Sequence, residues 1–226
     1  MTEPLDEALR LTPTEARIVG CLIEKAATTP EAYPLTVNAL LLAANQKTSR
    51  EPVMSLEEGE VGHALRELED RGWVRVVHGS RAHRYEHRIE DKLSVTRPQR
   101  ALLCLLMLRG PQSAPELLTR CERLADVGSI EDVKQVLERL QQRGFVTNVG
   151  RASGQREDRH AHLFCGPVEA HARPSESDRE ADADSPSPLG VRVADLERMV
   201  AELAARIDAL ERRETRSGTD GDSLAP

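Results

Sequence analysis

The sequence predicts a mainly α-helical chain with small β wings: tandem winged helix-turn-helix domains followed by a C-terminal coiled-coil helix. Three observations predict it. A unit of helix, glycine stop and strand occurs twice, 72 residues apart. Two shorter helices with capping signals precede each copy. A heptad stripe of apolar residues runs from Val193 to Leu210.

The repeat sets the architecture. VGHALRELEDRGWVRVV, from Val61, aligns with VKQVLERLQQRGFVTNV, from Val133, with seven identities in register. These pair Val61 with Val133, Leu65 with Leu137, Leu68 with Leu140, Arg71 with Arg143, Gly72 with Gly144, Val74 with Val146 and Val77 with Val149. Trp73 matches Phe145. Self-similarity at a fixed offset signals one supersecondary unit used twice.

The elements follow in order. Thr12-Pro13-Thr14-Glu15 is a capping box with proline at the first helical position, opening a helix to about Ala26. Thr36 caps a second helix through LLLAA. Ser55 caps a third, with Glu58 at the capping-box position, and Val61, Leu65 and Leu68 share one face. Gly72 supplies the left-handed stop. WVRVV and RAHRYEH then read as strands around His78-Gly79-Ser80. In the second half Thr96-Arg97-Pro98 opens a helix that Gly110-Pro111 ends, and Ser113-Ala114-Pro115-Glu116 opens the next. Ser129 caps the third helix, Gly144 stops it, and FVTNV pairs with HAHLFC across a longer, basic turn. Trp73, Tyr85, Phe145 and Phe164 take repeat-equivalent wing positions, so they are read as core beneath the wings rather than as base-stacking platforms. The predicted organisation is a first winged-helix domain over 1–92, a second over 93–165, a disordered acidic linker over 166–189, the coiled-coil helix over 190–215 and a disordered tail over 216–226.

Several blocks resemble a known family. LTPTEARIVGCLIEKAATTPEAYPLTVNALLLAANQKTSREPVM, LLMLRGPQSAPELLTR and GQREDRHAHLF are similar to segments of the YceH-like bacterial proteins, over about residues 11–165. In its second unit the chain has only QQRGFVTNVGR where that family has a longer, proline-containing link. The resemblance implies two winged-helix domains in a cytoplasmic bacterial protein. It implies no activity, because the family's function is itself unassigned.

Charge and polar residues point to binding. The net charge of −7 resides mostly in the tail: residues 1–165 hold 23 Lys and Arg against 24 Asp and Glu, residues 166–226 hold 8 against 14. The body is therefore free to meet a polyanion. Between the second and third helices lies Asn45-Gln46-Lys47-Thr48-Ser49-Arg50-Glu51-Pro52. Lys47 and Arg50 suit phosphates, Asn45 and Gln46 have the amide geometry that reads adenine, and Thr48 and Ser49 can bond phosphate oxygens. The first wing adds Arg75, Arg81, Arg84 and Arg88 against Glu86, and the second adds Arg151, Arg156 and Arg159 against Glu157 and Asp158. Against this, Ser55 to Arg71 carries Glu57, Glu58, Glu60, Glu67, Glu69 and Asp70 with only Arg66 and Arg71, on the helix expected to enter a groove. The leading expectation is duplex DNA binding through the tandem winged helices, as in a transcriptional regulator; the alternative is a protein-docking module of a larger complex, with the winged helices as interaction surfaces. The structural alternative for the polar loop is a network that ties it to the first wing and caps the helix after Pro52.

The sequence assigns no catalytic residues, no cofactor and no metal. His83 with His87, and His160, His162 and Cys165, are read as wing residues; no paired cysteine or HExxH accompanies them. Glycine-rich phosphate loops are absent, and the expected class is non-enzymatic. No stretch approaches the ~20 apolar residues of a membrane span. Cys21, Cys104, Cys121 and Cys165 form no CxxC pair, and no signal peptide opens the sequence. The expected location is cytoplasmic.

The C-terminal stripe is Val193, Leu196, Val200, Leu203, Ile207 and Leu210, at spacing 3-4-3-4-3. β-Branched a and leucine d positions favour a parallel two-stranded coil, hence a homodimer. Arg192 and Arg206 at g face Glu197 and Glu211 at e of the partner helix. Such exposed pairs add ~0.2–1 kcal/mol each, so the seam dominates at ~1.5–3 kcal/mol per buried side chain. The other packing for this stripe is against the chain's own body. Truncation after Leu189 is expected to lower the solution mass from dimer to monomer in light scattering; an unchanged mass would refute the dimer role.

Overall fold

Helix α1 (Pro13–Thr28) starts where the capping box places it: the Thr12 hydroxyl accepts the Glu15 N–H at 3.2 Å and the Glu15 carboxylate accepts the Thr12 N–H at 2.7 Å. The structure is a computed structural model describing residues 6–79, 82–151 and 157–168. The heptad residues Val193 to Leu210, the tail, most of the linker, and Arg81 and Arg156 lie outside these residues. The chain continues as α2 (Val37–Ala44), α3 (Glu58–Asp70), β1 (Val74–His78), β2 (His83–His87), α4 (Ile89–Leu93), α5 (Arg97–Arg109), β3 (Gln112–Ser113), α6 (Ala114–Cys121), α7 (Ile130–Gln142), β4 (Val146–Gly150) and β5 (Arg159–His162). The described residues are thus mainly helical with small antiparallel hairpins, a winged-helix-like arrangement.

Capping explains most boundaries. Thr36 accepts the Ala39 N–H at 3.3 Å, and Ser129 accepts the Asp132 N–H at 3.1 Å. Gly72 and Gly144 take φ of 72° and 69° after α3 and α7, the left-handed conformation that glycine adopts without a Cβ clash. The start of α3 corrects the sequence reading. Ser55 is not the cap; Glu57 holds that position, and its N–H is taken by the Glu60 carboxylate at 2.7 Å. The delay has a cause: the Asn45 side chain grips both main-chain groups of Leu56, each at 2.8 Å, and residues 53–57 stay outside the helix.

Each half has a hairpin with an extra pairing that the sequence did not reveal. β1 and β2 run antiparallel from Val74↔His87 to His78↔His83, and Leu35 bridges to Tyr85 just before the Thr36 cap. In the second half β3 pairs with β5 just before α6, giving the order β3-β5-β4. Both additions are too short to show a period-2 pattern, as α4 is too short to show a helical one.

The core runs through both halves as one cluster. At its centre α1 packs on α5; α1 is buried continuously from Glu15 to Ile23 and α5 from Ala101 to Leu108. A helix buried on all sides needs partners all round. Contact is tight at Gly20, where an added Cβ would stand 2.9 Å from Leu108 Cδ2 and 3.3 Å from Met107 Cβ. The Cys104 thiol donates to the Gly20 carbonyl at 3.3 Å. The 92/93 boundary drawn from sequence falls inside α4. Trp73 and Phe145 are buried, and both pack on Phe164, at ring-centroid distances of 5.6 and 5.5 Å. An aromatic of the first wing thus meets those of the second.

Gly20→Ala is expected to cost about 1–3 kcal/mol by overpacking against Leu108, and Gly20→Leu more. Gly59→Ala, on exposed α3 with open space around it, is expected to be neutral or stabilising by up to ~1 kcal/mol. Urea midpoints check both.

Candidate binding surface

The loop after α2 is anchored from below by two buried guanidinium groups. An α-helix leaves its last carbonyls without intrahelical donors. Arg17, 1% exposed, donates to the Ala44 carbonyl at 3.1 Å and to the Pro52 carbonyl at 2.6 Å. Arg50, 4% exposed, donates to the Ala43 carbonyl at 3.0 Å and to the Ser49 carbonyl at 2.9 Å. Its two terminal nitrogens also fork onto the Glu24 carboxylate at 3.2 and 2.6 Å. Arg50 therefore presents no nitrogen to a phosphate. Its commitment reverses the role that the sequence assigned it, because its partner comes from a helix 26 residues away.

Asn45 and Ser49 are likewise occupied inside the fold. Asn45 holds Leu56, as described. Ser49, at φ 62°, accepts a bond from Arg109 of α5 at 2.6 Å, and the Glu51 N–H donates to the Leu108 carbonyl at 2.8 Å. The network ties the loop to α1 and α5 rather than to the first wing. Gln46, Lys47 and Thr48 form its apex; Lys47 and Thr48 are exposed, and the three make no hydrogen bond or ion pair with the described residues. Leu42 and Val53 lie on either side of the loop in sequence, 66% and 58% exposed, unusual for large apolar side chains.

The wings hold their arginines close. Arg75 pairs with Glu86 across the hairpin at 2.5 Å. Arg84 donates to the Pro34 carbonyl at 2.7 Å, and Arg88 pairs with Asp91 at 2.8 Å. In the second wing Arg151 pairs with Asp158 at 2.9 Å, and Arg159 is drawn to Glu116 and the Pro111 carbonyl. Glu57, Glu58, Glu60, Glu67, Glu69 and Asp70 are all exposed, with exposed Arg66 among them. Arg71 turns away from that face onto Glu15 and the Arg10 carbonyl.

That last contact explains a repeat identity whose role the sequence reading missed. Arg71 latches the chain two residues before the Thr12 cap; Arg143, its equivalent, latches the Leu93 and Ser94 carbonyls just before the Thr96 cap. Each third helix thereby pins the entry to its own first helix. The signal was present as one of the seven identities.

His87 of β2 and His160 and His162 of β5 lie against the fold. Burial pushes His87 and His162 down to about 4 and lowers His160 as well. Among the described residues no group of three or more His, Cys, Asp or Glu is placed to hold a metal ion. No helix among them is long and apolar enough to cross a membrane.

Residues 11–155 match the family described as "Protein of unknown function, DUF480". The chain is 53% identical over 218 residues to a UPF0502 protein of Xanthomonas campestris pv. campestris strain B100, covering 94% of this chain and 97% of that one. It is 52% identical over 202 residues to one of Mesorhizobium japonicum, covering 88% and 96%. To one of Pseudomonas syringae pv. tomato it is 50% identical over 213 residues, covering 93% and 96%.

The Glu24–Arg50 pair sets an acid dependence. Burial disfavours the Glu24 charge, but the Arg50 bonds and charge, with Lys25, outweigh it and hold the carboxyl below its ordinary value. A lowered folded value contributes stability that is full above the unfolded value of ~4.3 and lost as pH falls through the folded one. Glu24→Ala, which leaves Arg50 buried without its carboxylate, is expected to cost about 3–5 kcal/mol at pH 7. The gap to wild type should narrow as pH falls below ~4.3, measured by urea unfolding at each pH.

Proposed function

This chain belongs to the DUF480 (UPF0502) family, and we propose that it is a non-enzymatic binding protein whose two halves act as tandem winged-helix units that dock a protein partner. One observation carries the preference for protein over duplex DNA: the exposed face of α3 is lined with carboxylates while the described wing arginines are held by carboxylates and carbonyls of the same chain. Phosphate neutralisation dominates DNA affinity, and a carboxylate-lined helix in a groove would repel the backbone it must approach. Exposed Leu42 and Val53 beside the loop suit an apolar contact, with the acids of α3 offering a polar rim to a basic partner surface. The C-terminal heptad segment, as a dimer, would join two such heads and raise avidity.

The DNA reading keeps one supporting observation. Lys47 and Thr48 stand unpaired at the loop apex, where they could meet phosphate oxygens.

Fluorescence anisotropy with a mixed-sequence duplex, from 50 to 200 mM salt, separates the two. Docking leads to no duplex affinity tighter than ~10⁻⁴ M at the upper salt, with no loss in Lys47→Ala. Micromolar binding that falls steeply with salt and is weakened by Lys47→Ala would overturn the docking reading.

A further inference from the structure

The tip of the first wing carries a feature that the binding reading does not use. His78 and His83 face each other as the last pair of the β1–β2 register. Both are exposed, their Nδ1 atoms are 3.2 Å apart, and their rings stand nearly edge to face at 77° with centroids 5.1 Å apart. A cross-strand pair is held at fixed Cβ separation by the ladder, so the backbone keeps the two rings within reach of each other.

We propose that His78 and His83 form a two-histidine chelate for a borderline transition-metal ion of the Zn²⁺, Ni²⁺ or Cu²⁺ class, bound through both Nδ1 atoms. Neutral imidazole is the side-chain ligand that such ions favour. Two nitrogens each ~2.0–2.1 Å from one tetrahedral ion stand about 3.3 Å apart, which the observed separation nearly matches. Without metal, one Nδ1–H donates to the other Nδ1. Metal binding replaces that bond: the donor ring carries its proton on Nε2 instead, and both Nδ1 lone pairs turn to the ion. Among the described residues, the neighbouring arginines are already engaged. Arg84, next to His83, is held on the Pro34 carbonyl, and Arg75 is paired with Glu86.

The described residues add no third ligand. The remaining coordination positions belong to water or to a donor from another molecule, as in open metal sites. The site rests on the hairpin alone and stands or falls independently of the docking reading.

The test uses the full chain and Zn²⁺ alone at pH 7.5. Calorimetric titration is expected to show binding that His78→Ala and His83→Ala each weaken at least tenfold, with His63→Ala, on α3, unchanged. In wild type, ¹⁵N shifts of the two rings should move at Nδ1 rather than at Nε2. This spectral readout needs no variant, so it stands even if a substitution disturbs the hairpin. Absence of Zn²⁺ binding by wild type, affinity retained in either single variant, or metal-linked shifts at Nε2 would each overturn the proposal.

Discussion

The crossing of α1 and α5 at Gly20 is the constraint on which the rest depends. Each of these helices has a middle stretch that is buried all round, Glu15 to Ile23 in α1 and Ala101 to Leu108 in α5. They must bury one another, and a glycine at the crossing lets the backbone of one approach the side chains of the other. Once they are fixed, the loop after α2 finds its hydrogen-bond partners at the end of α5, and Trp73 finds Phe164. The halves are similar in sequence, but their packing makes them interdependent.

The second constraint is electrostatic. Two guanidinium groups lie under the α2–α3 loop with a single carboxylate, that of Glu24, bonded to Arg50. Among the described residues Arg17 has no carboxylate of its own; it takes the Ala44 carbonyl at the end of α2, where the helix dipole places partial negative charge, and the Pro52 carbonyl. Burying charge is costly unless it is bonded, so these arginines stand where unmatched acceptors converge. The same logic, repeated at the surface, takes up Arg71 and Arg143 as latches.

Much of this was legible in the sequence. Capping boxes at Thr12 and Ser113 and the glycine stops at Gly72 and Gly144 are local signals, and the structure has each of them. The aromatics of the wings were read as core and are buried or partly so. What sequence could not show depends on contacts across the chain. Ser55 looked like a cap because nothing nearby reveals that Asn45 bonds the main chain of Leu56. Arg50 looked solvated because its neighbours are polar, while the residue that buries its charge lies on α1. Arg75 looked free because Glu86 sits opposite only once the hairpin register is set.

The anchored loop has a consequence for recognition. Its two ends are fixed by Asn45, Ser49 and Arg50, so only Gln46, Lys47 and Thr48 retain freedom. Ordering a floppy segment on association costs roughly 1–2 kcal/mol per residue in backbone entropy alone. Here most of that ordering is already complete in the folded chain. The loop is thus a preset frame around a three-residue tip, and a partner seated there, as the docking proposal has it, would leave only that tip to be ordered.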